Sequence, residues 1–312
     1  MAEEKPIVFV VVVTYKGKEW YDRCFLSLRE SLLPVQTVVV DNASGDGSAD
    51  YIKTNYPEIH VIESDKNLGF GGGNNIGIRY AMDHGCNYCL LLNQDAWIEP
   101  DTIGGLIGIA QSNPEYGILS PVHVNAGKTN IEKLLLQRLD DFHTTVPSLF
   151  DDLYFGRLKD VYVTKYVNCA AWFMPRSTIE TIGGFDPIFY HYGEDDNYIN
   201  RVLYHGLKIG ICPKFQIVHD NDRPRPLYDS REHDVLMMIE YTNVNHRHDI
   251  KSEMKQHLSK AVKGIITGRR KAAKRHIADY LWLKQNRLAL IYSVSVNRKT
   301  GMNWLKEGLS EK

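Results

Sequence analysis

The chain has 312 residues, 43% hydrophobic and 24% charged, enough for one large or two modest domains with a substantial core. Its 37 basic and 38 acidic side chains leave a formal net charge of −1, so no overall field draws it to nucleic acid. The longest apolar run near the start, residues 7–13, is too short for a span of about 20 residues, and MAEEKP makes a poor signal peptide.

Five cysteines, an odd number scattered along the chain, argue against a disulfide framework and for a reducing cytoplasm. Cys86 and Cys89 form a C-x-x-C, but no second pair of metal-ligand residues accompanies it. Two half-buried thiols at a strand edge are the simpler reading.

Residues 6–15, PIVFVVVVTY, are a continuous β-branched run, the pattern of a strand covered on both faces. Residues 18–33 then set Trp20, Cys24, Leu28 and Leu32 at helical spacing, with Pro34 as a stop. TVVVDNASGDGS is a second buried strand that ends in Asp41 and a turn, residues 49–55 predict a helix, and HVIES a third strand. A Gly- and Asn-rich loop, NLGFGGGNN, leads into the helix IGIRYAMDHG, and LLLNQD is a fourth strand that delivers Asp95 to its carboxyl end. Residues 101–112 predict a helix and YGILSPV a strand. Between 126 and 160 the pattern blurs: a short helical candidate, EKLLLQRL, stands among irregular polar stretches that suit a flap or an insertion. VYVTKYVNCAAWFMPR reads as a pair of strands, STIETIGGF as a short helix closed by glycines, and NYINRVLYHGL as an amphipathic helix. KIGICP and KFQIVHD read as two strands, and beyond about residue 232 come long helical candidates rich in Lys, Arg and His.

Alternating strands and helices imply right-handed βαβ units, a mostly parallel sheet, and a functional crevice beyond the carboxyl ends of the strands. Those ends carry Thr14 and Tyr15, Asp41 and Asn42, residues 65–67, and then Asn93, Gln94 and Asp95. The glycines between Asn67 and Asn75 could bring backbone N–H groups to an anion, although both standard phosphate fingerprints are absent and a tight strand-to-helix turn explains them equally. Asp41 could accept from a nucleobase or a ribose hydroxyl, or form a turn with Asn42. A charge that ends a buried strand is costly unless it is paired or ligates a metal. Asp95 therefore suits a divalent cation on the phosphates of a nucleotide, helped by Asn93 and Gln94, or else caps the next turn. Glu194, Asp195 and Asp196 are adjacent and cannot all point one way; one could act as a general base while the others are solvated or cap a helix. His219 ends the strand FQIVH and is either a ligand for Mn²⁺ or structural, whereas His123, His191 and His233 have no partner spacing that singles them out.

In their order, TYKG, VVVDNASGDGS, NLGFGGGNNIG, LLLNQD, GGFDPIFYHYGEDDNYINRVLYHGLKI and the strand-end His219 resemble the inverting family-two glycosyltransferases of the GT-A fold, nearest to the rhamnosyltransferase-like and galactofuranosyltransferase-like branch. The resemblance covers roughly residues 7–225 and implies an α/β fold with a mostly parallel central sheet flanked by helices. By resemblance, Thr14, Tyr15 and Asp41 hold the base and ribose of a nucleotide sugar, with Asn42 and Gln94 beside them, while Asn67, Gly69 and Asn74 follow the ribose, diphosphate and sugar. Asp95 matches the last carboxylate of a D-x-D signature that holds Mg²⁺ or Mn²⁺, and His219 matches the second metal ligand. Asn93 stands in the first position of that signature, a departure that leaves the metal fewer anionic ligands. Asp195 matches the catalytic base, with Glu194 as its neighbour, and Trp172 matches, most loosely, an aromatic near the acceptor. The implied donor is dTDP-rhamnose or a UDP-hexose. The implied acceptor is a hydroxyl of a glycan or lipid-linked glycan in bacterial cell-surface polysaccharide synthesis.

The organisation expected is a catalytic domain over 1–240, with a nucleotide-sugar half to about 120 and an acceptor half from about 121, and a basic helical extension over 241–312. There Arg269, Arg270, Lys271, Lys274 and Arg275 accompany an apolar stripe of Ile277, Leu281, Trp282 and Leu288. That combination suits a helix on the inner face of an anionic membrane, or a hairpin packed on the catalytic domain or on a second subunit as in a homodimer. The location expected is the cytoplasm, with peripheral contact at its membrane. A nucleotide-sugar-binding scaffold that has lost transfer is the rival from another class, and the presence of both Asp95 and Asp195 weighs against it. A nucleotidyltransferase would need a basic triphosphate loop after the first strand, where only Lys16 and Lys18 stand.

Overall fold

The structure is a computed structural model that describes residues 5–133, 135, 148–221 and 232–305. Its first half runs β1 (Val8–Thr14), α1 (Lys18–Arg29), β2 (Gln36–Asp41), α2 (Ser48–Asn55), β3 (His60–Glu63), α3 (Gly69–Asp83) and β4 (Tyr88–Asn93). These strands pair in the order β3-β2-β1-β4, all parallel. Side chains alternate across a strand. Val8, Val10 and Val12 therefore enter the core beneath α1 with Tyr21, Phe25 and Leu28, while Phe9 and Val11 enter the opposite core with Ile78 and Ala81 of α3. Burial on both faces is why β1 reads as an unbroken apolar run.

One local expectation changes. The Gly-rich stretch is not a loop before a helix, because α3 already begins at Gly69. A Cβ at Gly73 would lie 2.7 Å from Val13, and one at Gly77 would overlap Val11. The glycines thus form the helix face that rests directly on β1.

The second half runs β5 (Ala96–Ile98), α4 (Thr102–Ser112), β6 (Tyr116–Val124), α5 (Leu149–Tyr154), β7 (Tyr162–Thr164), β8 (Ala171–Pro175), α6 (Arg176–Ile182), α7 (Glu194–Tyr204) and β9 (Lys208–His219). The sheet continues β4-β8-β6-β9-β5, with β7 on β9. Strand β8 is antiparallel to both β4 and β6, β6 and β9 are parallel, and β5 and β7 are antiparallel to β9. The sheet is therefore parallel through its first four strands and mixed beyond them. KIGICP and KFQIVHD are one strand rather than two, because a register shift against β6, between Pro121 and Val122, absorbs residues 213–215. EKLLLQRL lies largely outside the described residues.

Three helices follow: α8 (Glu232–Thr242), α9 (Ile250–Ile266) and α10 (Arg270–Asn297). They share a smaller core of Tyr241, Ile250, Leu283 and Leu290, against which Ile188 of the sheet-bearing part also packs. Ser293 and Asn297 of α10 donate hydrogen bonds of 2.5 and 2.7 Å to Oδ2 of buried Asp186, and Leu305 enters the core beneath α6 and α7. Among the described residues, no helix is long and apolar enough to cross a membrane.

Candidate active site

Backbone register gathers the polar strand ends. Val13 pairs with Val40 on one side and Asn93 on the other, and Thr14 pairs with Asp41, so β1, β2 and β4 finish at one level. On the far side of the sheet, β5 pairs antiparallel with β9 and sets Ala96 opposite His219. Asp95 precedes Ala96, and its Oδ1 lies 3.3 Å from His219 Nε2. The two residues are 124 positions apart in sequence and are neighbours through a single ladder rung.

The Asp95–His219 pair is built into a polar chain that the sequence did not reveal. His219 Nδ1 lies 3.2 Å from Glu132 Oε1, and Glu132 Oε2 lies 3.3 Å from His123 Nδ1 and accepts from Asn168 Nδ2 at 3.2 Å. Burial alone would raise the pKa of Glu132, but the two imidazoles hold it well below the usual carboxylate range. Burial likewise pulls His219 down, yet Asp95 and Glu132, one on each ring nitrogen, reverse this and lift it to about 9. Burial is also the main reason that His123 is lowered. Glu132 falls in the stretch whose pattern blurred, and no spacing connects His123 to it; only tertiary contact reveals the pair.

A carboxylate, an imidazole nitrogen 3.3 Å away and a buried Asn93 Oδ1 without a hydrogen-bond partner among the described residues make a donor set that fits a small divalent cation. Asn93 Nδ2 lies 3.4 Å from the same His219 nitrogen. A cation would replace the proton that Asp95 and His219 share, and Glu132 would remain behind the ring as its orienting partner.

Asp195, in the first turn of α7, joins the same edge through the start of β8. Its Oδ2 accepts from the backbone N–H of Cys169 at 2.9 Å, and the carbonyl of the next residue, Ala170, accepts from the N–H of Asn93 at 3.0 Å. Neighbouring Glu194 is buried, and its Oε2 has no hydrogen-bond partner among the described residues. Burial first, and then the negative charges of Asp195 and Asp196, raise its pKa to about 8. A protonated Glu194 spares the helix terminus one more buried charge.

Thr14 Oγ1 and Ser44 donate to the Asp41 carboxylate, which fixes its direction. Gln94 accepts from the N–H of Tyr15 at 2.9 Å and donates to its carbonyl at 3.2 Å, so the exposed Tyr15 is presented on a clamped backbone. Asn42 donates to Asn67 Oδ1 and to the carbonyl of Gly69, tying the N-terminus of α3 to the end of β2. Gly69 has φ +74° and carries no Cβ where the carbonyl of Tyr190 approaches. The structure therefore brings Thr14, Tyr15, Asp41, Asn42, Asn67, Gly69, Gln94, Asp95 and His219 to one edge, with Asp195 joined to it through Cys169 and Glu194 next to it in the chain.

Two expected contacts do not fit this edge. Asn74 is 2% exposed and its amide is used inside α3, donating to the carbonyl of Phe70. Trp172 is fully buried, stacked on Phe185 with ring centroids 6.1 Å apart and tilted against Tyr198. Opposite Leu91 in the β4–β8 pair, it faces the core rather than solvent. Cys86 and Cys89 are buried free thiols, and Cys86 donates to the sulfur of Met82.

Comparison with known proteins agrees with this architecture. The pattern described as Glycosyl transferase family 2 matches residues 9–179, more than half of the chain. The low-salt glycan biosynthesis hexosyltransferase Agl10 of Haloferax volcanii is 25% identical over 224 residues, 71% of this chain and 69% of that protein. The dTDP-rhamnosyl transferase RfbF of Shigella flexneri is 22% identical over 213 residues, 68% of each chain. Among solved structures, S. aureus TarS 1-349 in complex with UDP-GlcNAc superposes with a TM-score of 0.58 at 13% identity, covering 94% of this chain and 88% of that one. The chain spans 42% of a longer TarS structure. At such identity the likeness concerns the fold, which is GT-A with a helical C-terminal part.

Proposed function

The chain belongs to glycosyl transferase family 2, and on that premise we propose that it is a member of the rhamnosyltransferase-like and galactofuranosyltransferase-like branch that moves a sugar from a nucleoside-diphosphate donor to an acceptor hydroxyl with inversion. The observation that carries the reading is the convergence of a candidate ligand pair, Asp95 with His219, and a candidate base, Asp195, at one strand edge. Tyr15, Thr14 and Asp41 receive the base and ribose: an exposed ring for stacking, and a carboxylate already aimed by Thr14 and Ser44. Gln94 keeps Tyr15 in place, and Asn42 keeps the Asn67–Gly69 turn close to the diphosphate.

Asp95 and His219, with the amide of Asn93 beside them, would hold Mg²⁺ or Mn²⁺. When bound, the cation neutralises charge on the leaving diphosphate. The acceptor oxygen attacks the anomeric carbon from the face opposite the diphosphate and gives its proton to the Asp195 carboxylate; the bond to the diphosphate oxygen breaks, and the configuration inverts once. Glu194, protonated near neutrality, would assist by leaving Asp195 the nearer acceptor.

The donor favoured by likeness is dTDP-rhamnose or a UDP-hexose, and the acceptor a glycan or lipid-linked glycan of cell-surface polysaccharide synthesis. In support of a lipid-borne acceptor, α9 exposes Val262, Ile265 and Ile266, and α10 exposes Leu281 and Leu288, among lysines and arginines suited to an anionic membrane face. One experiment tests the whole reading: a panel of nucleotide sugars offered with Mn²⁺, with and without anionic vesicles, scored for released nucleoside diphosphate and for protein recovered with the vesicles. Release from a dTDP- or UDP-linked sugar is expected. Failure to bind or turn over any member of the panel would defeat the proposal.

A further inference from the structure

A second group of ligand-bearing side chains stands in the C-terminal helices, away from the sheet edge. Three histidines from three helices meet one acid: His233 of α8, His257 of α9, and His276 of α10 with Asp279 one turn further on. Asp279 is 5% exposed. Its Oδ1 lies 2.9 Å from His233 Nε2, and its Oδ2 lies 3.4 Å from His257 Nδ1 and 3.9 Å from His276 Nδ1. The two Nδ1 atoms are themselves 3.3 Å apart. Facing nitrogens at that distance need either a shared proton or a cation between them.

Bonds of about 2.0–2.1 Å in a tetrahedral ion separate its ligand atoms by about 3.3–3.4 Å. The spacings of 3.3, 3.4 and 3.9 Å among the three ligand atoms already approach one face of such a tetrahedron. Because His233 engages Oδ1, Oδ2 is left for the ion, the arrangement by which an outer partner aims a ligating group. A cavity of about 580 Å³, bordered by the same four side chains with Lys271 and Arg275, gives the fourth position access to solvent and favours water, hydroxide or another anion there. Lys260 and Glu253 are the further charged groups that act on His257.

We propose that His257, His276 and Asp279 bind a Zn²⁺-class divalent ion, with His233 orienting the carboxylate, and that this ion fastens α8, α9 and α10 together. Two imidazoles and one carboxylate suit Zn²⁺ or Co²⁺ better than Mg²⁺, which sets this site apart from the sheet edge.

The test is titration of the metal-stripped full chain with Co²⁺ alone, read by visible absorption. One equivalent should produce the intense d–d bands of a tetrahedral ion. His257→Gln and His276→Asn should each lose them, with metal affinity down at least about tenfold, while Asp95→Ala keeps them. Zn²⁺ should raise the Tm of the wild type and of Asp95→Ala but not of either histidine variant. Two histidine variants are used so that one with a metal-free melt like that of the wild type decides the matter. Absence of the bands, their persistence in a folded histidine variant, or their loss in Asp95→Ala would overturn the site.

Discussion

At the sheet edge, Asp95 meets His219 because Ala96 and His219 are ladder partners; in the helices, His257 meets His276 only because two helix faces happen to pack there. The first meeting is fixed by main-chain pairing of Ala96, Trp97 and Ile98 with His219, Val218 and Ile217. The second depends on side chains, on the small core of Tyr241, Leu283 and Leu290, and on whatever occupies the space beside Asp279. Register-built sites should therefore lose chemistry before they lose structure, and packing-built sites should do the reverse.

The sharpest way to break that contrast is at Asp195. Asp195→Asn is expected to cut transfer by at least about 10²-fold, the scale of a lost general base, with donor affinity and Tm unchanged. Equal turnover would remove Asp195 from the mechanism. Asp95→Ala should come next, weakening Mn²⁺-dependent binding of the nucleoside diphosphate. Glu132→Gln should follow with a loss of about 10–100-fold in metal affinity, as for partners one step behind a ligand. Calorimetry that finds both variants unchanged in Mn²⁺ would rule out a cation at this edge.

The smallest expected effect sharpens the comparison rather than breaking it. Glu194 is raised from 4.5 to about 8, so the folded protein retains a proton that the unfolded chain releases across that window. Stability from this group is fully present below about pH 4.5 and is lost as pH rises through about 8. Glu194→Gln should flatten that part of the profile of Tm against pH. A slope identical to that of the wild type would contradict the shift.

Much of the sheet was readable in advance, because β-branched runs covered on both faces leave few alternatives. Thr14, Asp41 and Asp95 stand at strand ends, where polarity interrupts such runs. Less legible were features decided by what lies across the sheet. The helix start at Gly69 was hidden because glycine suggests a turn, whereas here it removes side chains that would collide with Val11 and Val13. Trp172 was placed near the acceptor by resemblance alone; the burial of its ring against Phe185 follows from the antiparallel insertion of β8, which no local pattern announces. Glu132, His123 and the Asp279 cluster were missed for a common reason. Their partners lie on other elements, and only the arrangement of the chain in space makes them neighbours.

The clasp between α10 and Asp186 carries a consequence for anyone who would shorten this protein. Asp186 is 2% exposed, and its Oδ2 takes donors only from Ser293 and Asn297 among the described residues, nine positions before Asp195. Deleting the terminal helices would take away both donors to Oδ2, hydrogen bonds to a charged group worth about 1.5–3 kcal/mol each, and leave the carboxylate the N–H of Ile188 on Oδ1, just upstream of the proposed proton acceptor. A version trimmed near residue 240 is therefore expected to melt at a lower temperature than the full chain, because the ties at Ser293 and Asn297 go with it.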